Sequence, residues 1–200
     1  MIITKISPAV KTAGRYNIFV DDSYSFSLDE TQLVSLGFKK GDEIDEDELA
    51  RLKNESEFGK SYIRAVDLIS RRLRSEKELR DYAWQKQWTH TTTDRVIERL
   101  RDRGYLNDER FAESFVRSRA NTRNFSAKRM KVELQKKGIK PEIITTAMAT
   151  SDEYDESAAL NTLIMKKRNK YDDERKLIAY LARQGFSYDD IRRALYYDMM

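Results

Sequence analysis

Cysteine is absent from this 200-residue chain, which also has only two prolines, seven glycines and one histidine. Without cysteine there can be no disulfides, thiolate metal sites or cysteine nucleophiles, which is typical of a protein kept in a reducing compartment. So few prolines and glycines argue against disorder and against a turn-rich β fold. No apolar run approaches the roughly 18 residues of a membrane span, and no signal peptide is visible. We therefore expect a soluble, cytoplasmic protein without membrane contact.

Residues with catalytic or metal-binding chemistry are equally scarce. The single histidine, His90, lies in the stretch Thr89–Thr93, which we interpret as a polar turn, so a solvated loop residue is favoured over a base or a ligand. The sequence has neither a phosphate-binding loop nor a dinucleotide-binding glycine motif. Two acidic pairs, Asp172-Asp173 and Asp189-Asp190, stand where helix starts favour negative charge. The sequence therefore predicts that the protein is not an enzyme and has no metal and no cofactor.

Charge is plentiful but unevenly distributed. Charged residues make up 36% of the chain, and the net charge is +4. Residues 1–60 carry 8 Lys/Arg and 12 Asp/Glu, a net −4, whereas residues 61–140 carry 21 and 11, a net +10. Residues 141–200 carry 9 and 11, a net −2. A basic middle indicates either a polyanionic or acidic partner, or helix faces that are simply solvated.

The first 60 residues differ from the rest because they contain β-rich runs. Three runs predict strands, with a hairpin turn between the last two: 2–6, 16–20 and 24–28. We expect a helix at Glu30–Leu36 that ends at Gly37. A second helix should begin among the acidic residues 45–48 and end near Phe58, just before Gly59.

From residue 61 onward, apolar residues recur at helical spacing. Several residues mark predicted helix boundaries: Ser75 with Glu78 as a capping box, Asn107-Asp108 and Ser126 as caps, Pro141 in a first turn, and Gly104 and Gly138 as ends. Four aromatic residues on apolar stripes or helix links are assigned to the core: Tyr105, Phe111, Phe115 and Phe186. Trp84 and Trp88 are one turn apart on a basic helix, so one of them could be exposed to a partner.

A repeat is visible at fixed spacing in this helical part. Two sets of residues share the same offsets and are expected to form cores around their glycines: Leu134, Gly138, Ile139, Ile144 and Met148, and Leu181, Gly185, Phe186, Ile191 and Leu195. An earlier copy begins at Ala83 and has Gln87 at the glycine position. The copies imply three three-helix units of about 45 residues, whose first helices lie near 62–73, 109–120 and 156–168.

Units of this size generally stack in a row, because each buries its apolar stripe against the next. We therefore predict a mainly α fold with three tandem three-helix repeats, stacked into an elongated, curved array. A small α/β segment with a β-hairpin should precede them. The predicted domains are the N-terminal segment and the three repeats: 1–60, 61–108, 109–155 and 156–200.

Four segments, taken in order, carry a family signature: Ala65–Leu79, Gly104–Ala112, Glu133–Ile139 and Tyr180–Leu195. Together they resemble the RecX family, whose members regulate the bacterial recombinase RecA. The resemblance covers about residues 61–198, and residues 1–60 look like the N-terminal extension of longer members. Trp84 and Trp88, together with Gln87, depart from the aliphatic-rich helix and glycine turn that are more typical of the family.

The resemblance implies a non-enzymatic, cofactor-free regulator that binds the RecA–DNA filament along its helical groove and lowers strand exchange and ATP turnover. Two alternatives stay open: a protein that acts directly on single- or double-stranded DNA, and a helical scaffold for another protein. A monomer is expected. The contact face is predicted from the basic middle of the chain, although cations there could also be idle and solvated. Its residues are Arg71, Arg72, Arg74, Arg117, Arg119, Arg123, Lys128, Arg129 and Lys131.

Overall fold

A small antiparallel sheet and a series of helices make up the structure, a computed structural model that describes residues 1–10, 12–122, 125–151 and 154–197. The chain forms two compact units. The first unit comprises Met1–Arg72 and Arg80–Tyr105, and the second unit comprises Leu73–Leu79 and Leu106–Met200. The predicted mainly helical fold, with three-helix repeats after an N-terminal hairpin segment, is confirmed.

The first unit begins with a three-stranded antiparallel sheet in the order β1-β2-β3. Its strands are β1 (Ile3–Pro8), β2 (Arg15–Val20) and β3 (Ser23–Asp29). Asp21 and Asp22 join β2 to β3 with φ values of 46° and 61°. Two left-handed residues in a two-residue loop match the right-handed twist of a hairpin, and aspartate tolerates that conformation better than most residues. The predicted hairpin is therefore present.

Helix α1 (Glu30–Leu36) has the predicted bounds and ends at Gly37. The next helix, α2 (Glu46–Arg71), starts as predicted but continues through Gly59, so the predicted end near Phe58 is wrong. Gly59 does not end the helix, because it makes room for a neighbour. A Cβ at this position would lie 2.4 Å from Oε1 of Gln32, and Nε2 of Gln32 donates to the carbonyl of Glu55. The glycine thus lets α1 approach α2.

Helices α3 (Glu76–Gln85) and α4 (His90–Asp102) complete the first three-helix group with α2. The stretch Thr89–Thr93 is not a polar turn, which corrects the prediction. Oγ1 of Thr89 accepts the backbone N–H of Thr92 at 3.1 Å, so Thr89 is the cap of α4 and His90 is its first residue. A threonine run can begin a helix when its first hydroxyl satisfies an orphan N–H. His90 is exposed, as expected.

The second unit contains two further three-helix groups: α5 (Asp108–Thr122), α6 (Ala127–Lys136) and α7 (Pro141–Ala149), then α8 (Glu156–Lys167), α9 (Glu174–Arg183) and α10 (Tyr188–Tyr197). Each group has its own apolar core. Six of the eight apolar residues predicted from the repeat are buried, and Met148 and Leu195 are half-buried at the edges of these cores. Tyr105, predicted to be in the core, is instead 50% exposed, because Leu106 is the residue of that link that is buried.

The second helices of the three groups end in the same way. In each, one residue has a left-handed backbone: Gln87 with φ 57°, Gly138 with φ 78° and Gly185 with φ 95°. The next amide donates to the carbonyl five residues earlier: Trp88 to Ala83, Ile139 to Leu134, and Phe186 to Leu181. This is the hydrogen bond of a Schellman motif. Gln87 therefore occupies the glycine position of the first repeat in conformation as well as in sequence.

Substitution of Gln87 by glycine is expected to stabilise the first unit by about 0.5–1 kcal/mol. A residue with a Cβ is strained in the left-handed region, and glycine relieves this strain. The free energy gained exceeds the free energy lost through the larger entropy that glycine gives the unfolded chain. Hydrogen exchange of amides in α3 and α4 measures the effect. Gln85→Gly, in the last turn of α3, should have the opposite sign, since glycine is less favourable than glutamine at a helical position. Equal destabilisation by both substitutions would contradict this account of Gln87.

Two serines join successive repeats within the second unit. Oγ of Ser75 accepts the N–H of Glu78 at the start of α3 and donates to the carbonyl of Lys137, at the end of α6, at 2.8 Å. Ser126 does the same one repeat later, where it caps α6 and donates to the carbonyl of Gln184, at the end of α9, at 2.8 Å. Each hydroxyl thus accepts a hydrogen bond from a backbone N–H at the start of one helix. It also donates one to a backbone carbonyl at the end of a helix in the next repeat.

The glycines that end α6 and α9 make these junctions possible. A Cβ at Gly138 would lie 2.7 Å from Cβ of Lys77, and a Cβ at Gly185 would lie 2.5 Å from Oγ of Ser126. Both glycines therefore provide a left-handed turn and the space for the capping segment of the preceding repeat. The sequence repeat consequently encodes the contact between repeats as well as the fold of each one.

Candidate functional site

The predicted contact residues are divided between the two units. Arg71 and Arg72 belong to the first unit, and Arg123 lies outside the described residues. The other six belong to the second unit: Arg74, Arg117, Arg119, Lys128, Arg129 and Lys131. Five of these six lie on α5 and α6, and we call them the α5–α6 basic group: Arg117, Arg119, Lys128, Arg129 and Lys131.

Phe125, which connects α5 to α6, holds two members of this group. The guanidinium of Arg119 lies 4.9 Å from the centre of the Phe125 ring, and that of Arg129 lies 4.3 Å from it. Arg119 also lies 5.0 Å from the ring of Phe115. Guanidinium groups are attracted to aromatic faces and lose rotational freedom there. The ring therefore fixes two positive charges close together, although both belong to long side chains.

Further hydrogen bonds position this aromatic centre. The hydroxyl of Tyr154 donates to the carbonyl of Phe125 at 3.1 Å. Burial, and then the charge of Glu156, raise the pKa of Tyr154, so the hydroxyl stays protonated and remains a donor. The guanidinium of Arg129 donates to Oε1 of Gln184, whose carbonyl accepts from Ser126. Arg129 is consequently tied to the junction between the second and third repeats.

The other three members of the group, Arg117, Lys128 and Lys131, are exposed. Within the described part of the chain, none of the three forms an ion pair. Lys128 and Lys131 line a cleft of about 380 Å³, in which Glu156 and Asp190 supply negative charge. Both carboxylates already accept hydrogen bonds there, from the amide of Ala127 and from the guanidinium of Arg193. The two lysines are thus available to an external anion.

The remaining predicted residues are in different environments. Arg71 pairs with Asp67 at 2.7 Å, one helical turn away, and both side chains are mostly exposed. Arg72 is exposed and follows the last turn of α2. Arg74 is half-buried, so it presents less of its charge to solvent than the sequence suggested. Among the described residues, the predicted cations that are exposed and form no ion pair therefore lie on α5 and α6.

One feature of the site was not found from the sequence. Phe125 was not assigned a role, and its position between Arg119 and Arg129 in the chain was the available signal. Trp84 is 81% exposed on α3, whereas Trp88 is half-buried against Tyr82 at 5.7 Å between ring centres.

Across residues 1–10, 12–122, 125–151 and 154–197, no group of acidic residues or histidines could hold a metal ion. Within the same ranges, no helix combines the length and the apolar character needed to cross a membrane.

Comparison with known families accounts for most of the chain. A model described as the RecX regulatory protein's N-terminal domain matches residues 1–45. Models of the first, second and third three-helix domains of RecX match residues 62–100, 107–148 and 155–195. These three matches follow the three repeats that the helices form.

Individual relatives agree with the family models. The regulatory protein RecX of Bacillus velezensis is 38% identical over 158 residues, and that of Bacillus subtilis is 37% identical over 155 residues. The matched part is 78% of this chain in both cases, but only 60% and 59% of these relatives. The chain thus matches about three fifths of their length.

Two solved structures are also similar. One, titled a crystal structure of regulatory protein RecX, has a TM-score of 0.75 and 26% identity and covers 96% of this chain and 98% of its own. The RecX structure from Lactobacillus salivarius has a TM-score of 0.60 and 31% identity, with coverage of 72% and 98%. On these matches, the chain belongs to the RecX family of regulatory proteins.

Proposed function

We propose that this protein binds the RecA–DNA filament, with the α5–α6 basic group in contact with it, and lowers strand exchange and ATP turnover without catalysing a reaction itself. Membership of the RecX family supports this choice of partner. The observation that carries the choice of surface is that Arg117, Lys128 and Lys131 are exposed and form no ion pair in the described part of the chain. The same two helices carry the two arginines held by Phe125. The protein would act as a cytoplasmic monomer and need no cofactor.

Electrostatics explains why such a group suits a nucleoprotein filament. DNA phosphates and acidic protein side chains both attract cations, and each phosphate contact releases condensed counterions and strengthens binding at low salt. Exposed lysines and arginines individually contribute little, less than about 1 kcal/mol, so several must act together. Arg119 and Arg129 add charge whose position is fixed before binding, which reduces the entropy that association removes.

Co-sedimentation with RecA–single-stranded DNA filaments tests this function. We expect the protein to pellet with the filament and to bind it more tightly than DNA alone. Binding should weaken steeply between about 50 and 200 mM salt, because ionic contacts are lost. The same affinity and salt dependence with DNA alone would instead identify direct DNA binding as the primary activity. No response to filament or to DNA would favour a scaffold for another protein and overturn the proposal.

The role of Phe125 can be separated from that of charge. Phe125→Leu keeps every cation but removes the aromatic face that holds Arg119 and Arg129. Each cation–π contact is worth about 0.5–1 kcal/mol, so we expect filament affinity to fall several-fold with unchanged net charge. Phe111→Leu, in the neighbouring core, is the control for lost packing. If Phe125→Leu and Phe111→Leu weaken filament binding equally, the ring does not act by positioning the arginines.

A further inference from the structure

The first unit contains a cavity that the proposed function does not use. It has a volume of about 580 Å³ and lies between the β1–β2 connection, the sheet and α2. Among the described residues, three basic ones line it, Arg15, Lys60 and Arg64, and no carboxylate does. This unit has an acidic N-terminal part, since residues 1–60 carry a net −4, so a cavity lined by three basic residues is not a consequence of composition there.

Arg15 is the central observation. Its side chain begins β2 and is only 7% exposed, and its Nε and Nη2 atoms donate to the hydroxyl and carbonyl of Ser27. Nη1 is buried and, among the described residues, has no hydrogen-bond partner. Burial lowers the pKa of Arg15, and the charge of Asp29 offsets this in part. A buried cation with an unused donor is unfavourable until an anion reaches it.

The other two basic residues of the cavity, Lys60 and Arg64, differ in whether an ion pair already uses their charge. Lys60 pairs with Glu57 at 2.8 Å, on the same helix, whereas Arg64 is exposed and forms no ion pair within the described part of the chain. Arg64 lines the same cavity as Arg15, and its positive charge also lowers the pKa of Arg15, while the charges of Asp29 and Glu57 raise it. A phosphate group between them would accept hydrogen bonds from both, in the bidentate geometry that guanidinium groups favour.

The rest of the lining indicates what the phosphate is attached to. Val10 is fully exposed and Ile63 is 51% exposed at the cavity, so two aliphatic side chains face solvent beside the cations. Thr12, Asn17 and Ser27 add hydrogen-bonding groups. Binding sites for small organic molecules are typically 300–1,000 Å³, with an apolar lining and a few convergent polar groups, and a cavity of about 580 Å³ is in that range.

We propose that this cavity is a nucleotide-binding site, in which Arg15 and Arg64 hold a phosphate while Val10 and Ile63 cover the sugar or base. No bond is made or broken in this site. The proposal is independent of filament binding, because the cavity lies in the first unit and the α5–α6 basic group lies in the second. The phosphate could belong to a free mononucleotide or to a DNA strand, and the chemistry at Arg15 is the same.

Nuclear magnetic resonance of the full chain tests the site directly. We expect deoxyadenosine monophosphate to shift the Arg15 Nε–Hε signal saturably, and deoxyadenosine, which lacks the phosphate, to bind at least about tenfold more weakly. An oligothymidylate without terminal phosphates, whose only phosphates are the diesters of the strand, is titrated in parallel. A shift with the mononucleotide alone assigns the site to free nucleotides, and a shift with the oligonucleotide alone assigns it to a strand. If neither ligand moves the Arg15 signal, the proposal is wrong.

Substitutions provide the second measurement. Arg64→Ala should weaken binding of the responsive ligand at least about tenfold, whereas Arg51→Ala, on the same helix but outside the cavity lining, should leave it unchanged. Arg15→Met should abolish binding, and if that variant does not fold, Arg64→Ala still decides the question. Equal affinities of the Arg64→Ala and Arg51→Ala variants would overturn the proposal. If the site binds a free nucleotide, filament co-sedimentation by Arg64→Ala should be normal, which separates this site from the proposed function.

Discussion

Reversing three exposed cations of the second unit, in the variant Arg117→Glu/Lys128→Glu/Lys131→Glu, is expected to weaken filament binding at least about tenfold. Each reversal removes an attraction and adds a repulsion. The variant should fold normally, because all three side chains are exposed and form no ion pair within the described ranges. Lys128→Glu also places a carboxylate in the first turn of α6, where the helix dipole favours it. Fluorescence anisotropy measures binding, and circular dichroism measures the helix content.

The matched control is Lys39→Glu/Lys40→Glu/Lys53→Glu, which reverses three exposed lysines of the first unit. Each reversal changes the charge by two, so both triple variants have a net charge of −2 instead of +4. Binding by the control should fall much less, because long-range charge effects are screened beyond about 8–10 Å at moderate salt. If both variants fold and lose the same affinity, net charge matters and the α5–α6 basic group does not.

The second large effect is expected at the junction between repeats. Gly185→Ala should lower the free energy of unfolding of the second unit by about 2–4 kcal/mol. The new Cβ meets the strain of a left-handed backbone, and it would lie 2.5 Å from Oγ of Ser126. The serine must move, so α6 loses its cap and the hydrogen bond to Gln184. Hydrogen exchange of the Leu181 amide reports the stability of this region.

Gly104→Ala separates backbone strain from crowding. Gly104 has a φ of 68°, but a Cβ there would meet nothing within 4 Å. That substitution should therefore cost about 1–2 kcal/mol, measured at the Leu100 amide of its own unit. Equal losses for Gly185→Ala and Gly104→Ala would show that the contact with Ser126 adds nothing to the junction.

Local signals predicted the parts of the fold that depend on neighbours in sequence. The end of α1 followed from Gly37, the start of α6 from the Ser126 cap, and the start of α7 from Pro141 in its first turn. The offsets of the repeat predicted that Gln87 occupies the position of a glycine. The left-handed φ of 57° at Gln87 is the conformation that the glycines of the other repeats have there. Such features are decided within a few residues, so a single sequence contains the necessary information.

The errors arose where a distant residue decides the outcome. Gly59 resembles a helix end, but its role is set by Gln32, which is 27 positions away in the chain and packs against it. The predicted basic face had the same difficulty. Charge alone could not show that Arg119 and Arg129 share one aromatic ring while Arg117, Lys128 and Lys131 are exposed and unpaired within the described chain. The inter-repeat bond from Ser126 to Gln184 spans 58 positions.

Photo-cross-linking from position 131 tests most directly whether the α5–α6 basic group contacts the filament. A photoreactive amino acid replaces Lys131 in one protein and Lys53, an exposed lysine of the first unit, in another. Irradiation with assembled RecA–DNA filaments should give a covalent adduct to RecA or to DNA from position 131, and excess unlabelled protein should suppress it. Efficient adducts from position 53, with none from position 131 in a protein that still binds the filament, would contradict the account.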